Sequence, residues 1–255
     1  LPRLQPGDPK RLPADWDAAV RLWTQEGRPT CAVLSAGSLY GRIRDWMGME
    51  NLSYLVYDDP GLFEEMVDTL AEVSLSNLRA VYATGAQIDA LAFWEDMCYS
   101  GGPLLPPEVF AKVLVPRYRK ITDLARAHGT EIAWVDCDGK IDALIPLWLE
   151  AGVNTMFPLE VGTWGADPVK YRGEYGRELL LMGGFDKHIL AGPIEGIERE
   201  VERLAPLVEE GGYLPFPDHR VPPDVPLAHY MAYLHAARRV WGKGNDLHPL
   251  IETEP

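Results

Sequence analysis

The strongest constraint on this chain is a repeating unit: a helical segment, a glycine that ends it, a short apolar run, and an acid where the run stops. Segment 59–82 carries Leu62, Phe63, Met66, Val67, Leu70, Val73 and Leu78 at helical spacing. Asp59-Pro60 supplies its N-cap and first-turn proline, and Gly85 its stop. The run IDALAFWED follows and closes on Glu95 and Asp96. The same grammar recurs in 107–127, Gly129 and EIAWVDCDG, ending in Asp136 and Asp138. It recurs again in 142–150, Gly152 and VNTMFPLE, ending in Glu160, and in 168–175, Gly176 and ELLLMGGFD, ending in Asp186. Its last instance is 194–210, Gly211-Gly212 and YLPFPDH, ending in Asp218 and His219. Upstream, PTCAVLSAG reads as a further strand and Leu39 to Met47 as a helix.

Repeated αβ units of this length imply a parallel sheet, because parallel strands need a crossover and short apolar runs suit strands buried on both faces. Two architectures fit. An open doubly wound sheet gathers its site at one switch point, whereas a closed barrel brings the carboxyl ends of all its strands to one mouth. Polar residues at the end of every run favour the barrel. Only six runs are found where a (β/α)8 barrel needs eight, so one or two first strands are expected to be missing from this chain. The reading divides the chain into a lead segment (1–28), a partial barrel (29–243) and a tail (244–255). It opens at Leu1 on a Pro-rich stretch and reads as a piece of something longer.

The formal net charge of −14, from 38 acidic and 24 basic residues, argues against nucleic acid and anionic membrane surfaces as partners. No apolar run reaches the roughly 18 residues of a membrane span, and no signal peptide opens the chain. Three scattered cysteines, Cys31, Cys98 and Cys137, make no CxxC pair and no disulfide framework, which points to a reducing, cytoplasmic setting.

Each strand-end acid has an innocent reading as a helix cap or turn residue. Their joint placement argues for chemistry, because so many carboxylates around one mouth call for a cation. Asp136, Asp138, Glu160 and His219 offer three carboxylates and one imidazole, a set that zinc and other divalent ions accept. Glu95, Asp96 and His219 are the candidate catalytic residues. Arg42, Trp164, Phe185, Asp186 and His188 are candidates for substrate contact, with Trp164 and Phe185 as pocket walls. Cys137 lies between two of the acids and by strand alternation points away as a buried structural residue. No Walker loop, GxGxxG after a strand, or GxSxG elbow is present.

Four segments, WEDMCYSGGPLLPPEVFAKVLVPRYRKI, VDCDGKIDALIPLWLEAGVNTMFPLEV, LLLMGGFDKHILA and GGYLPFPDHRVPPDVPLAHYMAYL, resemble the uroporphyrinogen decarboxylase superfamily from about Pro29 to Trp241. The resemblance implies a distorted TIM-barrel-like (β/α)8 fold of uroporphyrinogen decarboxylase type, with roughly the first two strands upstream of Leu1. It implies one of two activities. In the decarboxylases the acid at Glu95 is an Asp that binds pyrrole nitrogens, and a late histidine matches His219. In the corrinoid-linked methyltransferases a His-x-Cys motif and a later Cys hold zinc; alignment on Gly139 puts Asp136 and Asp138 at the first and His219 at the last. The thiolate-rich site is therefore not carried over, and the resemblance leaves room for an oxygen-rich metal site at the same place. The leading expectation is metal-assisted methyl transfer on a small molecule, with a corrinoid or corrinoid protein as partner. Decarboxylation of uroporphyrinogen or a related carboxylated substrate, with Arg42 and Arg44 gripping its acids, and a non-catalytic barrel that binds a corrinoid or small ligand are the alternatives. A homodimer is also expected, since barrels of this family often pair.

Overall fold

The computed structural model describes residues 12–25, 27 and 31–242. The tail 244–255, most of the Pro-rich lead and the first two residues of the PTCAVLSAG run lie outside the described residues. The described chain divides into two compact units, 1–157 and 158–255.

In the first unit, helix α1 (Trp16–Trp23) precedes strand β1 (Val33–Gly37) and helices α2 (Gly41–Met47), α3 (Met49–Asp58) and α4 (Pro60–Tyr82). Then come β2 (Ala90–Trp94), the small antiparallel hairpin β3 (Cys98–Tyr99) and β4 (Gly102–Pro103), and the helical stretch α5 (Pro107–Val109) to α6 (Val115–Arg126). Strand β5 (Ile132–Asp136), helix α7 (Ile145–Glu150) and strand β6 (Thr155–Leu159) complete it, with β6 running across the unit boundary. Strand β1 pairs in parallel with β2, β2 with β5, and β5 with β6. Helix α4 begins as its sequence dictates: Asp59 accepts the backbone N–H of Leu62, and Pro60 occupies the first turn. Its buried stripe, Phe63, Val67, Ala71, Leu75 and Leu78, repeats at three- and four-residue intervals.

The expected helix 107–127 is interrupted. Residues Phe110–Leu114 form a π-helical turn, with the Val115 N–H reaching back to the Phe110 carbonyl. Pro116 supplies the reason, because it has no N–H to donate and its ring would strike the carbonyl one α-turn earlier. The turn sits in an aromatic core. Phe110 packs edge-on to Trp148 at 5.7 Å, and Tyr118 lies edge-on to Phe93 at 5.1 Å. Each of these four side chains is fully buried; burial of an aromatic or large aliphatic side chain stabilises by about 2–3 kcal/mol.

The second unit continues from β6 into the short helix α8 (Val161–Trp164), α9 (Pro168–Tyr175), β7 (Leu180–Phe185), a 3₁₀ turn over Lys187–Ala191, α10 (Ile194–Glu210), β8 (Tyr213–Pro217) and α11 (Leu227–Trp241). Strands β7 and β8 pair in parallel, Leu181 against Tyr213 through Phe185 against Pro217. Ile197, Val201 and Leu204 of α10 are fully buried. All six apolar runs therefore form parallel strands, and the protein is an α/β fold. Among the described residues no helix is long and apolar enough to cross a membrane.

Candidate active site

The strand-end acids sort into different roles once their partners are visible. Glu95 follows β2 and is fully buried. Its Oε1 accepts the Leu39 N–H at 2.7 Å and the Tyr118 hydroxyl at 2.5 Å. Its Oε2 accepts the Ser38 hydroxyl at 3.0 Å and the N–H groups of Tyr40 and Gly41, both at 2.9 Å. A carboxylate thus sits on the N-terminus of α2, where unpaired amides and the helix dipole favour an anion. Gly41 is required there, because a Cβ would strike the backbone carbonyl of Glu95. Burial pushes the Glu95 carboxyl above the ordinary carboxylate range, while the Tyr118 hydroxyl and the three amides pull it back. Glu95 is expected from the sequence to act on substrate; in the structure both of its oxygens accept hydrogen bonds that hold α2 to the end of β2.

Asp96 is different. It holds a left-handed backbone, φ +43°, a conformation costly outside glycine though less so for Asp. The turn is pinned: Arg44 donates to the Asp96 carbonyl, the Asp96 N–H donates to the Asp136 carbonyl, and Asp96 Oδ1 accepts the Asp138 N–H at 3.3 Å. Asp96, Asp136 and Asp138 consequently bring one carboxylate oxygen each to within 4.8 Å of one another, all half-buried. Two ionised carboxylates at that spacing repel by about 3 kcal/mol at the effective dielectric typical near a protein surface. Gly139 makes the loop possible, since a Cβ there would stand 2.6 Å from the Cys98 backbone. Cys137 is buried beneath the acids, its Sγ accepting the Met97 N–H at 3.4 Å, and burial with the neighbouring Cys98 raises its thiol well above the ordinary value. That matches its expected structural role.

Beside this cluster, Arg42 and Arg44 of α2 both lie over the Trp94 ring, at 5.7 and 5.4 Å from its centroid. The Arg42 side chain is about half exposed and Arg44 mostly buried. Arg42 therefore presents a cation at the end of β2.

In the second unit, Glu160 and His219 each bring a ligand atom to within 4.8 Å of the other. Asp218, given little weight from the sequence, is fully buried. It accepts the Gly162 N–H at 2.8 Å and the Lys187 N–H at 3.0 Å, tying the ends of β6, β7 and β8 together. Lys187, missed in the sequence, is also buried. Its Nζ donates to the Thr163 hydroxyl at 2.8 Å and lies 3.5 Å from Asp218 and 3.8 Å from Glu160.

Asp186 caps the 3₁₀ turn through the His188 N–H at 2.9 Å and meets His188 Nδ1 at 3.1 Å. Gly162 lets this pair close over α8, because a Cβ would strike both side chains. Asp186 also borders a shallow cleft of about 340 Å³ shared with Val161, Asp167, Glu200 and Arg203. Phe185, expected as an open pocket wall, is instead wholly buried, with its ring 4.6 Å from that of Tyr233. Trp164 keeps its candidacy, for its buried indole N–H has no acceptor among the described residues.

The uroporphyrinogen decarboxylase (URO-D) family profile matches residues 37–240. A uroporphyrinogen decarboxylase of Maricaulis maris (strain MCS10) is 26% identical over 174 residues, covering 68% of this chain and 48% of that protein. One from Shewanella sp. (strain W3-18-1) is 29% identical over 164 residues, covering 64% and 44%. The chain thus spans about half the length of the curated relatives it matches. Among solved structures, a methyltransferase from Methanosarcina mazei aligns with a TM-score of 0.61 at 19% identity, over 89% of this chain and 67% of that one. At that identity the likeness establishes the fold, which is TIM-barrel-like. With a profile match over most of its length and the expected strands in place, the chain belongs to the uroporphyrinogen decarboxylase family.

Proposed function

We propose that the protein is an enzyme of metal-assisted methyl transfer to a small acceptor or a corrinoid, acting at the carboxyl ends of its strands. The observation carrying this reading is the trio Asp96, Asp136 and Asp138, three carboxylates converging where a cation would relieve their repulsion. The donor set fits a hard divalent ion such as Mg²⁺ or Mn²⁺ better than a thiolate-bound zinc, because all three atoms are carboxylate oxygens. A metal held there would supply Lewis acidity, polarising the methyl donor or easing loss of the proton from an acceptor thiol or hydroxyl. The chain's residues do the rest. The pinned turn at Asp96 and the Gly139 loop hold the carboxylates in place, and Arg42, stacked on Trp94, grips an anionic group of the substrate.

The test is elemental mass spectrometry of the untagged protein alongside Asp138→Ala. Near-stoichiometric metal that is lost in the variant, with unchanged thermal unfolding, is the expected result. Absence of metal from both proteins refutes the reading.

Arg42 and Arg44 on the Trp94 ring favour a second reading, decarboxylation of a carboxylated tetrapyrrole, the activity named for the curated relatives. Conversion of uroporphyrinogen followed by absorbance at high enzyme concentration tests it, and no loss of carboxylates excludes it.

A further inference from the structure

Two of the second unit's acids are buried deeply enough to require a counter-charge. Asp218 has no exposed surface and Glu160 has 6%. A carboxylate at such a position is costly unless hydrogen-bonded or paired. Asp218 accepts two backbone amides, and the Lys187 ammonium lies 3.8 Å from Glu160. Lys187 itself is fixed from both ends: its N–H donates to Asp218 Oδ1, and its Nζ donates to Thr163 while lying 3.5 Å from that same Asp218 oxygen. A buried lysine held this way is no solvated surface residue that happens to touch an acid.

We propose that Lys187 is the resident counter-cation of Glu160 and Asp218, and the residue that determines how strongly Glu160 and His219 take up a divalent ion. Glu160 and His219 place their ligand atoms within 4.8 Å of each other, so this pair would otherwise attract such an ion. The ammonium answers the carboxylate's charge from within the chain and repels a second cation brought to it. Lys187 is therefore a positioning and specificity-determining residue for the second unit's acids. The inference stands apart from the transfer reading, because its test reads cation uptake and not turnover.

The experiment is titration of the whole chain with Mn²⁺ at fixed neutral pH, with free ion followed by electron paramagnetic resonance, for wild type, Lys187→Met and the double variant Lys187→Met/Glu160→Gln. Removing a like charge a few ångströms from a bound dication raises its affinity by at least about tenfold. Lys187→Met is expected to bind Mn²⁺ that much more tightly, or to take up an additional ion, and Glu160→Gln in that background is expected to abolish the gain. A folded Lys187→Met with wild-type affinity and stoichiometry overturns the proposal, and so does a gain that survives Glu160→Gln. If Lys187→Met alone fails to fold, the double variant decides, since it restores the charge balance. Its folding supports charge compensation, and its failure to fold refutes it.

Discussion

Replacing Glu95 by Gln tests whether this residue anchors structure or performs chemistry. The carboxylate accepts five hydrogen bonds, three from backbone amides at the start of α2 and two from the hydroxyls of Ser38 and Tyr118. Glutamine fills nearly the same space but offers one acceptor oxygen where Glu95 uses two. Whichever way the amide faces, its NH₂ group turns toward at least two donors, either Leu39 and Tyr118 or Ser38, Tyr40 and Gly41. A buried donor that loses its acceptor costs about 1–3 kcal/mol, so two or three of them, partly relaxed, come to about 3–5 kcal/mol. That is a large share of the roughly 5–15 kcal/mol that stabilises a typical domain. Glu95→Ala should cost more, because it adds a cavity beside Phe93 and Tyr118. The assay is urea unfolding followed by circular dichroism, comparing midpoints at equal slope. A Glu95→Gln protein that unfolds at the wild-type midpoint yet has lost its activity would refute the anchor and restore a role at the substrate.

Three further outcomes are expected. Phe185→Ala should destabilise by about 3–5 kcal/mol, because it empties a fully buried ring site against Tyr233; Trp164→Phe should leave the unfolding midpoint nearly unchanged and weaken ligand binding, measured by calorimetry. Asp68 lies 2.8 Å from the Arg117 guanidinium, whose hydrogen bond holds its carboxyl below the ordinary range. A depressed folded value means a contribution present above the unfolded value of about 4 and lost as pH falls through the folded one. Asp68→Asn should therefore flatten the acid end of the stability curve, by under about 1 kcal/mol because Asp68 is about half exposed to solvent.

Much of the fold was legible because its signals are local. Helical spacing, a glycine stop and an apolar run of strand length lie within thirty or so residues, and each of the six runs became a strand. Where a local rule met a local exception, the reading slipped: Pro116 turned one expected helix into α5, a π-turn and α6. Helix α3 and the β3–β4 hairpin passed unnoticed, being too short to show a period.

The site was harder to read because its meaning lies in partners far away in sequence. An acid at the end of a strand looks the same whether it anchors, binds or reacts. Glu95 and Asp96 are neighbours, yet one is sealed by donors 23 to 57 residues away while the other turns through a left-handed backbone toward Asp136 and Asp138. No pattern within the run separates them; only the position of α2 does. Lys187 illustrates the converse. Between Asp186 and His188 it reads as one more solvated charge, and its burial depends on Thr163, 24 residues back, and Asp218, 31 residues on. What the sequence did contain was an imbalance, too many acids at strand ends for the cations in the same runs. That imbalance demanded a positive charge without saying where it came from. In the second unit the chain supplies it through Lys187, and in the first Arg44 donates to the backbone carbonyl of Asp96 beside the converging carboxylates of Asp96, Asp136 and Asp138. Buried Lys187 meets that demand in the second unit, and the convergence of three carboxylates is what makes the first unit the proposed place for an external cation.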